Sequence, residues 1–404
     1  MKGRPDGAVI WHVGRVTARM AARGRRQACV IDTLPAFWSD RGRMHILVIT
    51  NLYPSRRRPA FGTFVAGHVR ALRRGAATVD VASIQDQDVH RRILSKYVGL
   101  AARALWSATR AIARGKRPRV VEAHIAYPTG LLAWPIARLV GAKLVLYVHG
   151  ADIYEVGTRS PLHRRASRLV FSRADLIVAN SGYTRGLLRE TPGVPHEKVV
   201  VLSPGIDTTL FQPPADARRR PDEILYVGRL DPQKGVGVLI EAVSLLADQG
   251  ITLRIMGDGP AKEVLEAEAA RLRVPVRFEG AVPPGEVALA MAEAGVLAVP
   301  SAHGEALGLV AIEGMAMGAL VVASDTGGLS EVIQAGVNGW LVPPRDAGAL
   351  ARALSEALAS ARQPDDRRTR TMRKAGMQTA AQHDVYAIGE RILVTYDALV
   401  GSEK

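Results

Sequence analysis

Short runs of consecutive apolar residues recur along the chain, and between them lie longer stretches whose apolar positions fall three or four apart. From Met44 to about Phe211, the runs at 45–50, 77–83, 119–124, 143–148, 175–179 and 198–202 read as buried strands. The stretches at 61–74, 91–114, 127–140, 159–173 and 181–190 read as helices. Gln212 to Pro221, QPPADARRRP, is rich in proline and charge and reads as a linker. A second alternation starts with EILYVGRL at Glu223 and runs to about 375, and Tyr386 to Val400 reads as a final helix. Unbroken alternation of this kind predicts an α/β protein with parallel sheets covered by helices on both faces. Residues 1–43 show no sustained periodicity and read as an extension, disordered or non-native, ahead of the first core strand at MHILVITNLYP. The expected divisions are therefore 1–43, 44–212, 222–380 and 381–404.

One block carries chemistry that the alternation alone does not explain. In PSAHGEALGLVAIEGMAMGALVVASDTGGLSEV, from Pro300, Glu305 and Glu313 are separated by seven residues, most of them apolar. Gly295 to Val299 reads as a buried strand, Leu307 to Met317 as a helix, and Ala319 to Ala323 as the next strand. Glu305 then lies in the loop at a strand's carboxyl end and Glu313 near the second turn of the helix. The backbone amides around Ala306 to Leu309, including Leu307 and Gly308, fall at the helix N-terminus. Such a terminus attracts anions, because its first N–H groups lack partners and the helix dipole favours negative charge. Acids on either side can accept hydrogen bonds from sugar hydroxyls, and phosphate next to polyhydroxyl is the chemistry of a nucleotide sugar.

In order and spacing this block resembles the Glu-(seven residues)-Glu signature of the retaining glycosyltransferases of family four. The run GMAMGALVVASDTGGLSEVIQAGVNGWLVPPRD continues that pattern. The resemblance covers about residues 44–400. It implies the GT-B fold, two Rossmann-like doubly wound domains facing a central cleft, with the last helix crossing back to the first domain. The chain departs from the common pattern at Ala306 and Leu307, where Gly or Ser followed by Phe is frequent, and at Gly314-Met315, where Ala-Met is usual.

The resemblance also implies roles for single residues. Arg229 and Lys234, in YVGRLDPQKG, resemble the basic pair that grips the donor diphosphate. The leaving nucleoside diphosphate gains charge as the glycosidic bond breaks, and cations with a helix terminus can stabilise it without a metal. Glu305 is expected at the transferred sugar, Glu313 at the ribose, and the amides of Leu307, Gly308 and Leu309 at the phosphates. Gly62 is expected to let the backbone approach the phosphates from the first domain. His149, in YVHGAD at a strand's carboxyl end, is expected beside the transferred sugar, with Asp152 nearby. Val282, in FEGAV, corresponds to a segment whose backbone contacts the nucleobase. IMGDGP lacks the third glycine of a dinucleotide fingerprint, since Lys262 stands there, and NAD is rejected. No cofactor and no metal are expected beyond the nucleotide-sugar donor, and no carboxylate is placed for double displacement. The implied mechanism is front-face attack with the departing phosphate helping to deprotonate the acceptor.

Composition narrows the partners. The chain has 404 residues, a formal net charge of +16 and a single cysteine, Cys29, so no disulfide can form within it. The longest stretch free of Asp, Glu, Lys and Arg is Ala123 to Ala137, broken by two prolines and too short to cross a membrane. A cytoplasmic enzyme is expected. Residues 91–117 combine Arg91-Arg92, Arg103, Arg110, Arg114 and Lys116-Arg117 with Leu94, Val98, Leu100, Leu105 and Trp106. That mixture suits a helix lying on an anionic membrane surface, which fits a saccharide or lipid-linked acceptor. Two other readings compete with this one. A nucleotide-sugar epimerase of the same fold would need no acceptor. A basic nucleic-acid-binding protein would account for the charge, but the basic residues lack interleaved aromatics and nucleic acid is not expected as a partner.

Overall fold

The computed structural model of the chain describes residues 44–55, 61–84, 93–150, 153 and 161–401. The expectations for residues 1–43, Arg91-Arg92 and Asp152 lie outside the described residues.

The first half builds one sheet from β1 (His45–Thr50), β2 (Thr78–Ser83), β3 (Val120–His124), β4 (Lys143–Val148), β5 (Leu176–Ala179) and β6 (Val199–Val201). Its helices are α1 (Thr63–Arg74), α2 (Ile93–Ala113), α3 (Leu131–Val140), α4 (Pro161–Arg173) and α5 (Gly182–Glu190). The strand order is β2-β1-β3-β4-β5-β6, all parallel. These strands read as continuous apolar runs because both faces are covered. Leu47, Ile49, Val121, Leu144, Leu146 and Ile177 fill the core on one side, while the alternate residues Ile46, Val48, Val120 and Val145 are buried on the other.

The second half repeats the plan with β7 (Arg220–Val227), α6 (Val236–Ser244), β8 (Thr252–Met256), α7 (Lys262–Arg271), β9 (Val276–Gly280), α8 (Pro284–Glu293), β10 (Ala294–Val299), α9 (Leu309–Ala316), β11 (Leu320–Ser324), α10 (Leu329–Val332), β12 (Trp340–Val342) and α11 (Ala347–Ala361). Its strand order is β12-β11-β10-β7-β8-β9, again all parallel. Ile224, Leu253, Ile255, Val296 and Val322 pack on one face. Leu225, Leu297, Val321 and Ala323 pack on the other. In each sheet the chain leaves a central strand in one direction and returns on its other side, between β1 and β3 and between β7 and β10. Such switch points open crevices beyond the strands' carboxyl ends.

Two helices follow, α12 (Arg367–Ala381) and α13 (Val385–Gly401). The last one packs on the first half. A Cβ on its Gly389 would lie 2.8 Å from Ala71 of α1, and the Arg74 guanidinium sits 4.4 Å over the Tyr386 ring. Tyr396 reaches through to the sheet, its hydroxyl 2.9 Å from that of Tyr147.

Several boundaries differ from the sequence reading. The helix expected over 127–140 begins at Leu131, after a wide turn at Ala126–Gly130. Tyr127 is extended there (φ −130°, ψ 133°), as the residue before a proline is pushed to be. The helix expected from Leu307 begins at Leu309, because Gly308 takes a left-handed conformation at φ 90°. Strand β7 starts at Arg220, inside the segment read as a linker. Arg220 pairs with Ala294 of β10 and bonds Glu223 at 3.2 Å and Glu293 at 3.0 Å. Ala294 and Glu293 lie far along the chain and leave no local signature.

Candidate functional site

The carboxyl ends of both sheets border one cleft of about 310 Å³. Loops after β7 and β10 form one wall; Phe64 of α1, His149 after β4 and Asn180 after β5 contribute the other. The halves touch beside it. Ser181 donates its hydroxyl to the Ala306 carbonyl. The Glu331 carboxylate accepts the Gly182 N–H at 2.9 Å and also the Tyr183 N–H, capping α5 from the other half. Ala306 itself faces Gly150, whose Cβ, if it had one, would lie 2.9 Å from that of Ala306. A small residue at 306 is therefore a packing requirement at this junction.

The basic wall is built by a turn. Asp231 accepts the Gln233 N–H at 3.1 Å and starts the one-turn helix Pro232–Lys234. Gly235 ends it; a Cβ there would sit 2.0 Å from the Pro300 carbonyl oxygen. This close approach, fixed by the Ala302 N–H donating to the Gln233 carbonyl at 2.8 Å, sets the loops that carry Lys234 and Glu305 side by side. Lys234 Nζ lies 2.7 Å from Glu305 Oε2, and the Ser301 hydroxyl donates to the same oxygen at 3.0 Å. Arg229 is 67% exposed, 3.5 Å from Asp231. Its carbonyl accepts the Tyr226 hydroxyl at 2.8 Å, and burial pushes that phenol's pKa upward.

Glu305 is held from behind as well. Its carbonyl accepts the Gly328 N–H at 2.7 Å, and it forms a parallel bridge with Gly327. The DTGG segment thus works as a backstop for the loop that carries Glu305. Gly308, Leu309 and Leu307 line the cleft at the start of α9, with their backbone at a helix end whose amides have no intrahelical acceptor.

Of the residues expected in the site, the cleft lining unites His149, Arg229, Lys234, Glu305, Leu307, Gly308 and Leu309. Gly62, Val282 and Glu313 do not form part of that lining. Gly62 caps the start of α1 at φ 70°, close against the Leu52 carbonyl. Val282 packs against the core beneath the second sheet. Glu313 sits one turn into α9, half-buried, and among the described residues its carboxylate has no side-chain partner. Burial pushes its pKa up to about 8. Gly314, next to it, is required by Leu297, whose Cδ2 would lie 2.2 Å from a Cβ.

The raised Glu313 pKa makes a measurable prediction. Between its ordinary value of 4.5 and about 8, the folded chain keeps a proton that the unfolded chain has lost. Stability contributed by this group therefore falls as pH rises through that window, and the loss is complete above about 8. Glu313→Gln should flatten the decline in Tm between pH 5 and pH 9. An unchanged slope would show that the carboxyl ionises freely in the folded state.

Burial lowers the His149 pKa well below the usual value, and His124 and His68 add to the effect. The His149 ring packs edge-on to Phe64 at 4.9 Å and stacks on His124 at 5.3 Å. Behind it lies a buried group that the sequence reading did not single out, His68, Glu122 and His124, with Tyr396 from α13. Their possible ligand atoms lie within 4.8 Å of one another, the one such triad found among the described residues. A signal was present in VVEAH, where two polar residues two apart interrupt a strand otherwise read as continuously apolar. Asn180, left between the strand and the helix, and Ser181, read only as the start of that helix, were missed too.

Comparison with known proteins follows the same division. Residues 61–210 match the family model described as Glycosyltransferase Family 4, and residues 209–376 match the one described as Glycosyl transferases group 1. WcaL of Escherichia coli, named as a colanic acid biosynthesis glycosyltransferase, is 35% identical over 253 residues, 59% of this chain and 61% of that one. The chain thus spans about three fifths of that relative. The GDP-mannose-dependent alpha-(1-6)-phosphatidylinositol monomannoside mannosyltransferase of Mycolicibacterium smegmatis is 34% identical over 63% of this chain and 70% of its own. In fold, the chain is similar to Anabaena HepE, solved with UDP and glucose (TM-score 0.70, 22% identity, 88% of this chain and 100% of that one). It is also similar to sucrose-phosphate synthase of Thermosynechococcus elongatus (TM-score 0.74, 22% identity, 90% and 100%). Two parallel doubly wound sheets around one cleft, matched along their length in this way, place the chain in the family four (group 1) glycosyltransferases of GT-B fold.

Proposed function

We propose that the protein is a retaining hexosyltransferase that takes its sugar from a nucleotide-diphosphate donor and passes it to a saccharide or lipid-linked acceptor in cell-surface polysaccharide or glycolipid synthesis. The observation that carries this reading is the Lys234–Glu305 pair at 2.7 Å beside the start of α9. It sets a cation, a sugar-binding carboxylate and free helix amides within one cleft. Lys234, Arg229 and the amides of Gly308 and Leu309 hold the diphosphate and stabilise the charge it gains as the glycosidic bond breaks. Glu305, oriented by Lys234 and Ser301, binds hydroxyls of the transferred sugar, and Glu313 and Gly62 support the donor from outside the lining. Val282 offers its backbone toward the base. Among the described residues lining the cleft, Glu305 is the one carboxylate, and its Oε2 is held by Lys234 and Ser301. The acceptor oxygen then attacks from the face the phosphate leaves, and its proton passes to the departing phosphate oxygen. The relatives named for colanic acid and phosphatidylinositol mannoside synthesis support the acceptor class, and HepE, solved with UDP and glucose, supports the donor class.

Incubation with a panel of UDP-, GDP- and ADP-sugars tests the reading. The expected result is slow hydrolysis of one donor, acceleration by acceptor, retention of anomeric configuration and persistence of activity in EDTA. Inversion, or metal-dependent turnover, would overturn it. Conversion of the sugar without any acceptor would instead indicate an epimerase.

The same reading includes a membrane surface. Leu94, Val98, Leu105 and Ile112 form one stripe on α2 and are 79%, 60%, 40% and 43% exposed, with Trp106 at 68% nearby. Leu100, whose place in the expected surface mixture is corrected here because it is buried, packs inward with Ala104, Ala108 and Ala111 on an adjacent face of the helix. Arg110 on this helix, and Arg114 and Lys116 just beyond it, add positive charge, which matches an anionic lipid surface. No helix among the described residues is long and apolar enough to cross a membrane. Burying a large side chain in lipid contributes about 1.5–3 kcal/mol, so Leu94→Ser or Trp106→Ser should weaken binding to phosphatidylglycerol vesicles by about tenfold. Equal sedimentation of wild type and variants would remove this surface from the account.

A further inference from the structure

The first half contributes Phe64, His149, Asn180 and Pro204 to the wall of the cleft. Phe64 and Pro204 offer no polar side chain, whereas Asn180 does, and its amide is held in one orientation. Asn180 follows β5 directly. Ser181 after it caps α5, its hydroxyl oxygen accepting the Thr184 N–H at 3.0 Å. Ser181 gives its one proton to the Ala306 carbonyl across the junction. The fully buried Thr184 hydroxyl then turns its own proton to Asn180 Oδ1 at 2.5 Å, since the Ala306 carbonyl is farther, at 3.5 Å, and already accepts from Ser181. The Asn180 amide therefore keeps its oxygen inward. Among the described residues its Nδ2 donates to no protein group, and the 8% of Asn180 that stays exposed borders the cleft.

We propose that Asn180 is a donor-binding residue supplied by the first half, its Nδ2–H donating to a phosphate oxygen of the nucleotide diphosphate at the start of α9. The proposal rests on the reading that places the diphosphate at Lys234 and the α9 amides. Position supports it. Ser181 and Thr184 both lie against the Ala306 carbonyl, and Ala306 directly precedes Leu307 and Gly308, which line the cleft where α9 begins. Asn180, bonded to Thr184, is thus one side chain away from that helix end. Chemistry supports it too. The carboxamide NH2 can only donate, and a phosphate oxygen is the strongest acceptor that the α9 terminus would hold. The amides of α5 do not compete, because Glu331 accepts the Gly182 and Tyr183 N–H groups and Ser181 the Thr184 N–H. Asn180 belongs to the first half and the α9 terminus to the second. The hydrogen bond therefore forms only where Ser181 meets Ala306, and it couples diphosphate binding to the docking of the two halves.

Asn180→Asp tests the proposal, because it keeps the shape and the bond from Thr184 but replaces the NH2 by an anionic oxygen. A carboxylate just ahead of α5 is favoured by the helix dipole, so Tm should not fall. Isothermal titration of the full chain with UDP, GDP and ADP measures the effect on whichever nucleotide the wild type binds. Its Kd should rise by on the order of tenfold in Asn180→Ala and a hundredfold in Asn180→Asp. A purely structural Asn180 predicts the reverse order, with Asn180→Ala the more damaged, and that order would overturn the proposal. Unchanged nucleotide affinity in Asn180→Asp would overturn it as well, and if donor hydrolysis by the wild type persists, the proposed function stands without it. Unchanged affinity with lost transfer would move Asn180 from the phosphate to the sugar, which also overturns it. A wild type that binds none of the three nucleotides would overturn the donor reading and this proposal together. The wild type alone decides the point if Asn180→Asp fails to fold. The chain has three asparagines, Asn51, Asn180 and Asn338, so 15N-asparagine labelling gives three side-chain amide pairs, with that of Asn180 assigned by its loss in Asn180→Ala. Saturating nucleotide should move one Asn180 Nδ2 proton downfield, and an unmoved pair would overturn the proposal.

Discussion

Lys234→Ala should lower sugar transfer by on the order of a hundredfold while leaving the fold intact. A charge-assisted hydrogen bond to phosphate is worth about 1.5–3 kcal/mol in binding, and a contact that tightens as the leaving group gains charge appears in turnover. The structure adds a second cost. Lys234 Nζ is 2.7 Å from Glu305 Oε2, so removing the ammonium leaves a carboxylate uncompensated beside the diphosphate. Ser301 alone then holds Glu305, which is free to turn away from the sugar. Lys234→Arg restores the charge with different geometry and should recover part of the activity. Because the Lys234 side chain is 33% exposed and outside both cores, Tm should change little. Arg229, twice as exposed and, among the described residues, tied only to Asp231 at 3.5 Å, should show the smaller loss of the two on replacement by alanine. Near-normal transfer by Lys234→Ala would take the basic pair out of the chemistry.

His149→Ala is expected to leave nucleotide affinity nearly unchanged and to lower transfer by on the order of a hundredfold. The separation of effects follows from placement. Lys234 and the start of α9, proposed to hold the diphosphate, belong to the second half. His149 projects from the end of β4 in the first, held by Phe64 at 4.9 Å and by the stacked His124 at 5.3 Å. Losing the imidazole removes a polar contact to the sugar and opens a gap that admits water. Isothermal titration with UDP, run beside an initial-rate assay, separates the two effects. Equal loss in both would place His149 at the nucleotide, and loss in neither would make it a core histidine.

The division into two alternating strand-helix halves was written in local pattern, because strands buried on both faces need long apolar runs and covering helices need periodic ones. The loop pair around Lys234 and Glu305 was legible for a related reason. Glycines and prolines punctuate both segments, and the chemistry of an anion at a helix start is local. Boundaries were less so. Gly308 delayed its helix by a left-handed turn, and β7 gained residues from pairing with β10, a partner that no local window contains.

The sequence alone therefore determined the fold class, the two halves and the residues of the second half that meet in the cleft, since each depends on spacing within one strand-loop-helix unit. Tertiary structure alone decided what surrounds them. Glu331 caps α5 from the opposite half, and Ala306 meets Gly150 across the junction. Glu122 becomes a buried anion only when α1 brings His68 and the last helix brings Tyr396 to it. Those contacts join residues distant in the chain, and burial, which gives them their strength by excluding water, exists only once the two sheets and the returning helix have packed.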